Sequence, residues 1–144
     1  MSEETEVFVF PSDPWWAAYV DNINASESYK EAASDWEGDI TFVIEAEPDK
    51  NVPETVWGWM DLWHGECRAG SFVTPEEGLK AQLIIRASYT RWKQVIMKDL
   101  EPVKGMMQGK LKLQGDLPKI LRYVNAATEL VNIAGSVPTE FPDE

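Results

Sequence analysis

One cysteine in 144 residues excludes an intrachain disulfide, and one histidine leaves little from which to build a catalytic dyad. Positive charge is also scarce. Thirteen Lys and Arg face 25 Asp and Glu, a formal net charge of -12 that repels phosphate backbones and anionic headgroups, so no nucleic-acid partner is expected. No run approaches the ~18 apolar residues of a membrane span, so no integral membrane association is expected. The acidic start Met1-Ser2-Glu3-Glu4-Thr5-Glu6 lacks the basic-then-apolar order of a signal peptide. With a lone thiol, that predicts a cytoplasmic protein. Glycine numbers only 9, and no phosphate loop, dinucleotide fingerprint or calcium loop occurs. Gly105-Met106-Met107-Gln108-Gly109 precedes a strand pattern, so it is no phosphate cradle.

Aromatics, by contrast, are plentiful: 7 Trp, 4 Tyr and 5 Phe. Side chains of this size dominate the burial in any core or pocket they enter. Ser12 or Asp13 followed by Pro14 starts a helix whose stripe is Trp15, Trp16, Tyr19, Val20 and Ile23. Asn24 with Glu27 predicts a second helix, running to Trp36. Period-two alternation then marks strands at Ile40–Ala46, Val56–His64, Cys67–Val73 and Leu79–Ala87. Helices follow at Tyr89–Lys98 and from Pro102 to Met107, then a strand at Lys110–Gln114. A single last helix runs from Asp116 to Gly135 with the stripe Leu117, Ile120, Leu121, Val124, Ala127, Thr128 and Val131. Grouped helices and strands predict an α+β domain over residues 12–137, with acidic tails at 1–11 and 138–144.

Catalytic chemistry has no anchor in this pattern. His64 sits in a strand without a nucleophile motif, so the reading is non-catalytic, with no catalytic residue. His64, Glu66 and Cys67 lack the second ligand pair that zinc needs, so no metal or other cofactor is expected. The notable features are apolar: Trp92, Met106 and Met107, and the stripe of the last helix. Methionines suit surfaces that accommodate variable apolar guests, and equally suit a plain core. Trp57, Trp59 and Trp63 share one strand face with Asp61 between them. Left open to water, that face would dock a partner or a second copy of the chain, which gives the alternative reading of a structural or protein-interaction module.

Leu100-Glu101-Pro102-Val103-Lys104-Gly105-Met106-Met107-Gln108-Gly109-Lys110-Leu111-Lys112-Leu113-Gln114-Gly115-Asp116 resembles a run of the type-two sterol carrier protein family. From Asp39 onward the order of elements is similar to the family as well. The resemblance implies a five-stranded, mostly antiparallel sheet with helices on one face and an apolar cavity between the layers. It implies binding of a sterol, fatty acid or fatty acyl-CoA without chemistry on it. Carried onto this chain, Gln108 becomes a polar anchor, and Met106, Met107, Leu113, Leu117, Ile120, Leu121 and Val124 become cavity walls, with Trp92 among the ligand-binding candidates.

Overall fold

In the computed structural model, which describes residues 6–144, a two-residue strand, β1 (Phe8–Val9), precedes α1 (Asp13–Ala25). The Ser12 hydroxyl caps α1 by accepting from the Trp15 amide at 3.2 Å. The next helix starts later than predicted. Ser26, not Asn24, caps α2 (Glu27–Ala32). Asn24 instead exchanges hydrogen bonds of 3.0 and 2.8 Å with the Cys67 backbone, tying the end of α1 to the sheet.

Five strands form the sheet: β2 (Glu37–Glu45), β3 (Val56–Trp63), β4 (Glu66–Phe72), β5 (Leu83–Ser88) and β6 (Lys112–Gln114). Their order is β4-β3-β2-β5-β6. Only β2 and β5 run parallel; the other pairings are antiparallel. His64 (φ 47°) and Gly65 (φ 80°) make the tight β3–β4 hairpin, so His64 turns the chain rather than extending the strand. On the inner face, Ile40, Phe42, Ile44, Leu62 and Ile85 meet the helices. Gly58 shares that face because nothing larger fits: a Cβ there would stand 2.7 Å from the Trp16 ring.

The connection between β4 and β5, expected to be loop, contains a short helix, α3 (Pro75–Gly78). It covers part of the outer face, where the Thr41 hydroxyl donates to the Gly78 carbonyl at 2.7 Å. Beyond the sheet's center, α4 (Tyr89–Ile96) is capped by Ser88 as predicted, and its Trp92 donates Nε1–H to the Val43 carbonyl at 2.9 Å. α5 (Pro102–Met107) is capped by the Glu101 carboxylate, which accepts from the amides of Val103 and Lys104.

The long last helix predicted by the apolar stripe is two helices, α6 (Leu117–Leu121) and α7 (Val124–Ser136), interrupted at Arg122 and Tyr123. Ile120, Ala127 and Val131 of the predicted stripe face the interior, joined by Tyr123, Ala126, Leu130 and Ala134, while Leu121 and Val124 are 41% and 40% exposed. α7 packs across α1, α2, α4 and α5 rather than resting on the strands. Space is therefore left beneath it.

The segments read as tails are corrected where the structure describes them; residues 1–5 of the first lie outside the described residues. β1 pairs in parallel with a final strand, β7 (Thr139–Glu140), and Phe10 and Phe141 are buried. These short acidic segments carry aromatic rings, and burying one such ring stabilises by about 1.5–3 kcal/mol, enough to hold them down. Past β7, Asp143 accepts from the Tyr89 hydroxyl at 2.6 Å and from Lys93 Nζ at 3.1 Å. Those donors hold its carboxyl below the ordinary aspartate value, the Tyr89 hydrogen bond first. The folded state thus takes up this proton less readily than the unfolded chain. The contribution is complete above the unfolded value of ~3.9 and is lost as pH falls below it. Relative to their unprotected rates, the amides of Phe8 and Phe10, whose N–H groups bond the Pro138 and Glu140 carbonyls, should show faster exchange below about pH 4, ahead of those in β2 and β3. Asp143→Asn should show that faster exchange already at neutral pH; unchanged exchange in the variant would remove the carboxylate from the account.

Candidate functional site

The space under α7 is an apolar cavity of about 110 Å³. Its wall comes from every layer: Trp15, Trp16 and Tyr19 of α1, Tyr29 of α2, Phe42 of β2, and Trp92 of α4, closed by α7. Trp36 and Tyr123 stand edge to face at 4.9 Å at one end. Phe10 and Trp15, also edge to face, stand 4.8 Å apart, and both line the wall. Among the described residues the only ionisable side chains on this wall are tyrosines. Tyr19 donates its hydroxyl proton to the Leu130 carbonyl at 2.9 Å, and burial, with Tyr29 and Cys67 nearby, raises its pKa far above the ordinary phenol. Tyr29 is raised too, by burial first. Both rings are neutral at any physiological pH, so the wall carries no charge and offers no general base.

The groups considered for chemistry lie elsewhere. Burial pushes the Cys67 thiol up to about 11, and its Sγ–H points at the Ala69 carbonyl at 3.3 Å. It is therefore a protonated, unreactive core group. His64 Nε2 lies 2.6 Å from a Glu37 carboxylate oxygen in an exposed pair at the hairpin. Among the described residues no group of three or more His, Cys, Asp or Glu is placed to hold a metal ion. A neutral, aromatic-walled space can do one thing well: take up apolar matter from water.

A family model, the SCP-2 sterol transfer family, matches residues 20–128. The chain belongs to that family. This agrees with the resemblance carried by Leu100–Asp116. A crystal structure of sterol carrier protein 2 is 36% identical, with TM-score 0.80 over 88% of this chain and 97% of that one. The solution structure of a conserved hypothetical protein from Thermus thermophilus, suggested to be a sterol carrier protein, is 35% identical. It has TM-score 0.80 over 96% of this chain and 94% of that one. The apo form of sterol carrier protein 2 from Yarrowia lipolytica, 17% identical with TM-score 0.55 over 83% and 88%, shares the fold. No curated protein matches the chain significantly.

Within this SCP-2 fold the candidates read from sequence separate. Trp92, Met106 and Ile120 come together on the cavity wall. Met107 is 66% exposed, because α5 ends there and turns it outward. Gln108 follows as the exposed helix cap and reaches no part of the wall. Leu113 packs against the core from β6, and Leu117 is half-buried, neither on the wall. Leu121 and Val124 turn outward with the helix interruption. A third of the wall, however, comes from α1, α2, Trp36 and β2, none of which the sequence linked to the cavity. Their signal was the density of Trp and Tyr in the first 36 residues.

The outer tryptophan face is neither core nor open patch. Trp57 and Trp59 are half-buried: Arg86 lies 5.1 Å above the Trp57 ring, and Trp59 Nε1–H is donated to Asp39 at 2.9 Å. Trp63 is 36% exposed, with Arg68 4.5 Å above its ring and the His64 ring stacked against it. Each ring thus already has a partner within the chain.

Proposed function

We propose that this protein binds an apolar lipid (a sterol, fatty acid or fatty acyl-CoA) between the sheet and α7, and holds or transfers it without covalent change. The observation that carries the reading is the wall itself: an uncharged, aromatic lining drawn from both layers of a fold whose family is named for sterol transfer. Each methylene moved from water into such a space gains about 0.8 kcal/mol, so a long chain needs no charged clamp.

The cavity of about 110 Å³ is smaller than the ~300 Å³ at which ligand pockets begin, so a lipid must enlarge it. α7 is the element built to give way. It presents small side chains, Ala126, Ala127 and Ala134, to the interior. Its polar ties to α1 and α2 are two exposed ones, Ser28 to Glu129 at 2.8 Å and Asn22 to Ser136 at 3.3 Å, and one at the cavity wall, Tyr19 to the Leu130 carbonyl. The docking reading of the Trp57, Trp59 and Trp63 face has less support, since those rings are engaged within the chain.

Two measurements test the proposal. Protein purified from cells and then denatured should release lipid that extraction and mass spectrometry detect. Delipidated protein titrated with a long-chain fatty alcohol should change its tryptophan emission saturably, because Trp15, Trp16, Trp36 and Trp92 line the site. Empty extracts together with an unresponsive emission spectrum would overturn it.

A further inference from the structure

The apolar cavity ends against a second hollow of opposite character, one layer of side chains away. This hollow measures about 580 Å³ and is lined by polar groups, among them Asp39, Asp61, Arg68, Gln82 and Lys119. Tyr123 lines both spaces. Trp36 stands on the cavity side, with Lys119 Nζ 4.7 Å from its ring centroid and Tyr123 against its edge. Trp36, Lys119 and Tyr123 therefore make up the partition.

Its fastenings are few and engage only neutral acceptors. Lys119 Nζ donates to the Glu37 carbonyl and, at 2.6 Å, to Gln82 Oε1. The Tyr123 hydroxyl donates to the Asp35 carbonyl at 3.3 Å. Lys119 lies on α6 just before the α6–α7 interruption and Tyr123 lies within it, so a movement at the interruption would displace both.

We propose that this partition is the door of the lipid site, and that the lipid it admits has an uncharged hydroxyl head, which stays in the polar hollow while the apolar body lies in the cavity. The proposal rests on the lipid-binding reading above and narrows it. Charge selects the head. Asp35, Glu37, Asp39 and Asp61 outnumber Arg68 and Lys119 around the hollow, and the whole chain carries -12. The field there opposes a free carboxylate or the phosphates of an acyl-CoA. A hydroxyl can accept from Lys119 and donate to a carboxylate, and meets no such penalty.

Stopped-flow mixing of the full chain with pyrene-dodecanol and with pyrene-dodecanoic acid, read by energy transfer from tryptophan, tests this. Wild type should take up the alcohol faster than the acid at low salt, with the gap shrinking as salt screens the field. Lys119→Met, which keeps the packed stem, and Tyr123→Ala should each raise both entry and exit rates of the alcohol by about ten-fold. Loss of a mere wall contact would raise exit alone and would overturn the door. Rates unchanged in both variants would overturn it as well; should Tyr123→Ala fail to fold, unchanged rates in Lys119→Met alone overturn it. Uptake of the acid at the rate of the alcohol would overturn the head-group assignment. If wild type binds neither probe, the lipid reading itself falls; if it binds both and Met106→Glu abolishes that binding, the lipid reading survives whatever the door variants do.

Discussion

Trp15→Ala should lower the free energy of unfolding by about 3–5 kcal/mol, the cost of truncating a large buried aromatic. Trp15 is 2% exposed and holds three parts of the molecule together. Its ring packs edge to face with Phe10 at 4.8 Å and tilts against Tyr19 at 5.1 Å. Its Nε1–H is donated to the Thr139 hydroxyl at 2.9 Å, which ties α1 to β7 and so joins the two ends of the described chain. Truncation removes the packing, the hydrogen bond and the support for the β1–β7 pair together. Urea denaturation should show a lower midpoint with an unchanged slope. A loss below about 1 kcal/mol, the range of ordinary surface positions, would mean that Trp15 is not part of a cooperative core.

Met106→Glu should weaken lipid binding by about a hundred-fold, whereas Met107→Glu should leave both binding and stability nearly untouched. The two methionines are adjacent in sequence and opposite in environment. Met106 lines the cavity, and Met107 is 66% exposed. A carboxylate at position 106 must be desolvated beside the lipid or must draw water into the space the lipid needs, at a cost near the ~2.8 kcal/mol that a hundred-fold represents. At position 107 the same carboxylate stays in solvent, where changes fall within about 0.5 kcal/mol. Titration with a fluorescent fatty alcohol, alongside thermal unfolding of both variants, measures the contrast. Equal effects of the two substitutions would place α5 differently against the cavity.

The α5 pair shows where reading from sequence stops. Pro102, a following helical turn and Gly109 locate the helix without any tertiary information, because proline at a helix start and glycine after its end are local preferences. Which of two neighbouring methionines faces inward is not local; it depends on the roll of a one-and-a-half-turn helix against α7 and Leu111. The same holds for the stripe running from Leu117 to Val131. Its spacing is continuous, so a single helix is the natural reading. Yet the ring of Tyr123 packs on Trp36, the helix is interrupted, and Leu121 and Val124 turn outward while Ala127 and Val131 keep to the wall. The acidic ends misled for a related reason: their charge suggested solvent, while Phe10 and Phe141 between the carboxylates had places in the core.

Period-two and period-3.6 patterns, the Ser12 and Ser88 caps and the Leu100–Asp116 run were enough to determine the five sheet strands and the main helices, the α+β class and the family, because each depends on neighbours within a turn or a strand. The size of the cavity, the aromatic wall supplied by α1 and Trp36, and the single layer dividing apolar from polar space were decided only in three dimensions. Packing joins residues a hundred positions apart, and whether facing side chains meet or leave a gap depends on where α7 crosses the other helices.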